Sequence, residues 1–139
     1  VISPDNLSIE QLRDALVQAD VKSADIDENG CLKVRVHDQT FVVAVIGPHQ
    51  VRFFRPSAVA PRHIGNEAAL LSAANSLNSD LAFIGGAYVS EEGDLIFTRA
   101  LTVSGGVSEW NVATALLEFA LEAAIFDQLV EKALGGTDV

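Results

Sequence analysis

Cysteine is nearly absent. Cys31 stands alone, which excludes an internal disulfide framework and the cysteine-rich zinc sites. Positive charge is scarce too: nine Lys and Arg face nineteen Asp and Glu, for a formal charge of −10. Such a surface repels phosphate backbones, so no nucleic-acid partner is expected. No apolar run approaches the ~18 residues of a membrane span, so no membrane partner is expected either. Histidine is limited to His37, His49 and His63, which share no i, i+3 or i, i+4 spacing, and neither a metal nor a cofactor is expected. Ser104 and Ser108 lie outside any G-x-S-x-G elbow, and Cys31 sits mid-hairpin with no helix N-terminus to activate it. No catalytic residue stands out. The opening Val1-Ile2-Ser3-Pro4-Asp5 lacks the basic and apolar regions of a secretion signal, and with a lone thiol the expected setting is cytoplasmic.

What is present is apolar. The chain has 139 residues and is 49% hydrophobic, enough to bury a core. One domain over 1–139 is expected, with 1–6 and 134–139 as flexible ends. Ser8 can cap a helix in which Ile9, Leu12, Leu16 and Ala19 follow helical spacing, with Gln11 at the capping-box position. From Val21 the period changes to two. Val21 to Ile26 reads as a short strand, Asp27-Glu28-Asn29-Gly30 as a turn, and Leu32, Val34 and Val36 as the buried side of the next strand. Asp38-Gln39 is a tight connection into Phe41 to Ile46, and Gly47-Pro48-His49 turns into a strand from Val51 to Arg55. A second helix is expected from Asn66 to Asn78. Strands Leu81–Val89 and Leu95–Val103 follow, joined at Glu91-Glu92-Gly93-Asp94. The paired glycines Gly85-Gly86 suggest a bulge or a close backbone approach.

The last helix is the most informative stretch. Between Val112 and Val130, fourteen of nineteen residues are apolar. At about 100° per residue, Asn111, Thr114, Glu118 and Glu122 fall within roughly 80° of arc, and most of the remaining circumference is apolar. One flank carries Val112, Phe119, Ala123, Phe126 and Val130; the other carries Trp110, Ala113, Leu117, Leu121 and Ala124. A helix lying on one sheet needs a stripe of little more than about 100°. Two covers are therefore needed. Either the other helices supply the second, or a partner does, and then Trp110, Leu117, Leu121, Phe119 and Phe126 are the candidate partner or dimer interface.

Charge is unevenly placed. Between Gln39 and Asn66 there is no acidic residue, while Arg52, Arg55 and Arg62 occur there with His49 and His63. This is either a solvated strand and loop or a docking stripe for an acidic segment, formed by Arg52, Phe54, Arg55 and Arg62. Two other motifs fall to their simpler readings. Asp25-Ile-Asp27-Glu-Asn29-Gly30 imitates the start of a calcium loop, but the twelfth position is Val36 and the ninth is Lys33, so a hairpin turn is expected. Ser104-Gly105-Gly106-Val107 precedes a helix, yet Glu109 stands where an anion would sit, which leaves a strand-to-helix connection.

Several stretches resemble the YbjN family of bacterial sensory transduction regulators. They are Asn29-Gly30-Cys31-Leu32-Lys33-Val34-Arg35-Val36, Asn75-Ser76-Leu77-Asn78, Glu91-Glu92-Gly93-Asp94-Leu95, and Gly105-Gly106-Val107-Ser108 leading into the long helix. The similarity spans about Leu7 to Lys132; Gly85-Gly86 and the alanine-rich last helix depart from it. It implies an α+β fold similar to type III secretion chaperones, with helices packed on an antiparallel sheet in the order α-β-β-β(-β)-α-β-β-α. It also implies no catalytic residues to carry over, and Asn75 and Asn78 serving capping and hydrogen bonding at a helix end. The expected function is a non-enzymatic, cytoplasmic, homodimeric protein-binding module, a chaperone-like adaptor or regulator. The alternative is a small-molecule sensor or enzyme with a pocket between sheet and helices near segment 49–63.

Overall fold

The computed structural model describes residues 1–19, 21, 25–57, 67–80 and 83–135. Its elements are α1 (Ile9–Gln18), β1 (Asp25–Ile26), β2 (Leu32–Val36), β3 (Gln39–Ile46), β4 (Gln50–Pro56), α2 (Glu67–Asn78), β5 (Gly86–Val89), β6 (Leu95–Thr102) and α3 (Glu109–Gly135). The fold is α+β, with a six-stranded antiparallel sheet in the order β1-β2-β3-β4-β6-β5. Two units divide the chain, one of Val1–Phe54 with Ala100–Ala120 and one of Arg55–Arg99 with Leu121–Val139.

In the first unit, Ser8 caps α1 by accepting the Gln11 N–H on its hydroxyl at 3.1 Å. Leu12, Ala15 and Leu16 form the buried side of that helix. Asp27 closes the β1–β2 turn as the acceptor for the N–H groups of Asn29 at 2.9 Å and Cys31 at 3.0 Å, and Gly30 takes φ +79°. That geometry satisfies the carboxylate with backbone donors, as in an Asx-turn. The β1 strand is shorter than the span from Val21 suggested. The next turn falls on His37 and Asp38, at φ 51° and 63°, one residue before the expected Asp38-Gln39. Packing decides the register: Val34 must lie opposite Phe41, and Leu32 opposite Val43, for both strands to bury the same face. Leu32, Val34, Val36, Phe41, Val43, Val51 and Phe53 are buried. Phe119 of α3 completes this core, its ring centroid 5.7 Å from those of Phe41 and Phe53. The expected loose N-terminal end is instead anchored. Ile2 is buried and exchanges two backbone hydrogen bonds with Val107, of 2.6 and 2.7 Å, because an apolar side chain there closes the core beside the start of α3.

In the second unit, α2 buries Leu70, Ala73, Ala74 and Leu77, and β5 pairs with β6 so that Ala87 faces Phe97. Phe97 stacks on Phe126 of α3, centroids 4.7 Å apart and planes 11° from parallel. Gly85 marks a close approach: a β-carbon there would lie 2.8 Å from the Thr98 carbonyl oxygen and 2.9 Å from Cζ of Phe97. The strand expected from Leu81 begins only at Gly86; Leu81 and Ala82 lie outside the described residues. Ile84 and Gly85 are drawn off the strand because their N–H groups are donated to the Glu122 carboxylate, at 2.9 and 3.1 Å. Asn66, the expected start of α2, and residues 136–139 also fall outside the described part.

Candidate functional site

Helix α3 begins at Ser108, whose hydroxyl accepts the Asn111 N–H at 3.1 Å, as the capping pattern predicts. Its inward positions are Val112, Phe119 and Phe126, seven residues apart and free of solvent exposure. Of the five residues expected at an interface, Phe119 and Phe126 are therefore corrected. Rings of the chain's own sheet already pack on each, Phe41 and Phe53 on Phe119 and Phe97 on Phe126. Trp110, Leu117 and Leu121 remain open, at 68%, 42% and 63% exposure, and Ala124 and Ile125 are exposed with them. Along the one helix Trp110, Leu117, Leu121 and Ala124 recur at seven, four and three residues. That alternation is the seam pattern by which one helix packs on another. Each Leu left in water forgoes about 1.5–3 kcal/mol of available burial.

The expected basic stripe does not form as one row. Successive strand residues point to opposite faces, so Arg52 and Phe54 share one face of β4 while Phe53 and Arg55 share the other. Arg55 is buried and its guanidinium pairs with Asp127 at 2.5 Å, with a further contact to the Ala123 carbonyl at 3.5 Å. Ser57 adds its hydroxyl to the same carboxylate at 3.3 Å. Arg55 is thus a structural anchor for the second half of α3 and offers nothing to a docking segment. Arg62, with His63, lies outside the described residues. Arg52 and Phe54 stay half-buried on the outer side of their strand.

Two further polar groups escape a reading by sequence pattern. Asn78 ends α2, where capping and hydrogen bonding at the helix end itself were expected. Instead its amide reaches across to β5, donating to the Ala87 carbonyl at 2.8 Å and accepting the Ala87 N–H at 2.6 Å. One side chain so imitates a neighbouring strand and closes the β5 edge at that residue. Glu122, placed in the helix's polar arc, acts as the acceptor for Ile84 and Gly85. No local signal marks either pairing, although the second glycine of Gly85-Gly86 leaves room for the Asn78 oxygen, 3.0 Å from where a β-carbon would sit.

No cluster of three or more potential metal ligands occurs among the described residues. Burial, and then the nearby Asp27 carboxylate, push the Cys31 thiol above its ordinary pKa, which disfavours the reactive thiolate. A cavity of about 370 Å³ in the second unit is lined by Ala73, Ser76, Leu77, Asp80, Leu129 and Lys132. It is formed by α2, α3 and Asp80 just past the end of α2, and none of the described residues of segment 49–63 lines it. Among the described residues no helix is long and apolar enough to cross a membrane.

Chain order and sheet together define an α+β fold similar to that of a type III secretion chaperone. The crystal structure of SycH from Yersinia pestis, in complex with a stable fragment of YscM2, has a TM-score of 0.56 to this chain at 12% identity, covering 85% of this chain and 98% of that one. YbjN from E. coli has a TM-score of 0.65 at 20% identity, covering 94% of each chain. An uncharacterized protein from Methanothermobacter thermautotrophicus has a TM-score of 0.57 at 12% identity, over 91% of this chain and 98% of that one. Residues 8–131 match the YbjN family model, described as "Putative bacterial sensory transduction regulator", and the chain belongs to that family. No curated protein matches it in sequence.

Proposed function

We propose that this chain is a non-enzymatic, cytoplasmic adaptor or chaperone-like regulator that binds other proteins and pairs with a second copy of itself through α3. The carrying observation is the outward row Trp110, Leu117 and Leu121 on a chain whose net charge is −10. Exposed apolar side chains in such a row mark a surface that gains from being covered. The net charge keeps the unpaired chain soluble and sets a repulsion that the seam must overcome. Membership of a regulator family supports the reading, as does the likeness to a chaperone whose structure holds a fragment of another protein.

Sedimentation equilibrium tests it. The wild type should approach twice 14.7 kDa at tens of micromolar, and Leu117→Asp should return it to 14.7 kDa. Since Leu117 is exposed, that change should alter folding stability by no more than about 0.5 kcal/mol. A wild type that stays at 14.7 kDa throughout would refute the self-pairing.

A further inference from the structure

Helix α3 runs unbroken from Glu109 to Gly135, and its outward row continues past the residues already named. Trp110, Thr114, Leu117, Leu121, Ala124 and Gln128 recur at intervals of four, three, four, three and four residues. At about 100° per residue they share roughly 80° of arc, and Trp110 and Gln128, about five turns apart, stand in line. Thr114 is half-buried and the others are exposed. None of them is charged, on a chain of net charge −10.

That series of intervals reads the same from either end. A two-fold axis at the level of Phe119 therefore lays the row onto itself when a second copy runs the opposite way. Trp110 then stands against Gln128, Thr114 against Ala124, and Leu117 against Leu121. A parallel copy fits less well. Each side chain would meet its own counterpart, two indoles at one end and two alanines near the other, and the spacing of packed helices follows the side chains between them. Helices close at Ala124 would be wedged apart at Trp110. The indole N–H would also face another indole, which has no acceptor, whereas the opposite direction offers it the carbonyl oxygen of the Gln128 amide. Opposite directions further set the positive N-terminal end of one helix near the negative C-terminal end of the other.

We infer that α3 packs on the α3 of a second copy in antiparallel register, with Leu117 against Leu121 at the centre and, at each end, the Trp110 indole donating to Gln128 of the second copy. The inference rests on the self-pairing proposed above and adds its direction, its register and the polar contact that fixes both. Leucine against leucine does not by itself choose a register. Sliding one helix by seven residues would set Trp110 against Leu121 and take the acceptor away from a covered N–H, which is costly.

The test is disulfide trapping in C31S chains whose pairing is first checked by sedimentation. T114C mixed with a mass-tagged A124C should give a linked mixed dimer on mild oxidation. Each variant alone should stay unlinked: equal positions lie about 15 Å apart along the axis, and a disulfide needs Cα atoms within about 7 Å. Linking of each variant to itself, or no linking in chains that sediment as pairs, would overturn the inference and leave the self-pairing standing. Chains that stay single refute the self-pairing, and the inference falls with it. Trp110, the chain's one tryptophan, gives a second measurement that needs no new cysteine. Its emission should shift to the blue as concentration rises, and Gln128→Leu, at an exposed site, should weaken pairing at least about fivefold. Q128L chains that pair as tightly as wild type would likewise overturn the inference.

Discussion

Asp127→Leu should destabilise the second unit through the charge it leaves behind. The side chains of Arg55 and Asp127 are 7% and 18% exposed, well below the level at which solvent screening reduces an ion pair to the ~0–1 kcal/mol of surface pairs. Breaking a buried pair by removing one partner costs about 3–5 kcal/mol, and the partial wetting of Asp127 argues for the lower end. After the substitution, Arg55 retains the Ala123 carbonyl at 3.5 Å, and Ser57 loses its carboxylate acceptor. The loss should therefore be about 3 kcal/mol. Arg55→Leu strands the carboxylate instead, which can still turn to water, and should cost about 2 kcal/mol. R55L/D127L removes both charges from the interior and should fall within about 1 kcal/mol of wild type, since an apolar pair can replace a buried ion pair at little cost. Urea unfolding followed by circular dichroism gives all four corners of the cycle. If the double variant loses the sum of the two single losses, the charges do not depend on each other and the reasoning fails.

Asn78→Ala strips both partners from Ala87 and opens the β5 edge; it should cost about 1–3 kcal/mol and increase aggregation on heating, whereas a melt superimposable on wild type would exclude the strand-mimic role. Cys31 should alkylate more slowly at pH 8 than a cysteine in an unstructured peptide, because a raised pKa leaves less thiolate at a given pH. Asp27→Asn should recover only part of that rate, since burial is the larger cause; modification as fast as the free peptide would contradict the shift.

Features written into neighbouring residues were legible in the sequence. Ser8 with Gln11, the Asp27–Gly30 turn and the alternation from Leu32 to Val36 each have a local cause, and each forms as read. The Arg52–Arg55 stripe failed on equally local grounds, because residues three apart on a strand face opposite ways. By contrast, the partners of Asn78, Glu122 and Asp127 lie far along the chain from them or arrive by folding rather than by motif. Nothing in helical spacing distinguishes Glu122, which holds two backbone donors, from exposed Glu118.

The two sides of α3 show the same limit and also how the structure resolves it. Leu117 and Phe119 are both apolar, so hydrophobicity alone cannot choose which turns inward. The sheet makes the choice through ring geometry: Phe41 and Phe53 receive Phe119, and Phe97 receives Phe126. Turning the helix over would put Leu117 and Leu121 against those rings and bring Trp110 inward. An indole N–H buried that way needs an acceptor, and a core of Phe, Val and Leu side chains supplies none. The arrangement with Trp110 at 68% exposure satisfies the rings and leaves the indole N–H in water. Whatever covers that row must accept a hydrogen bond at one end and apolar contact along the rest.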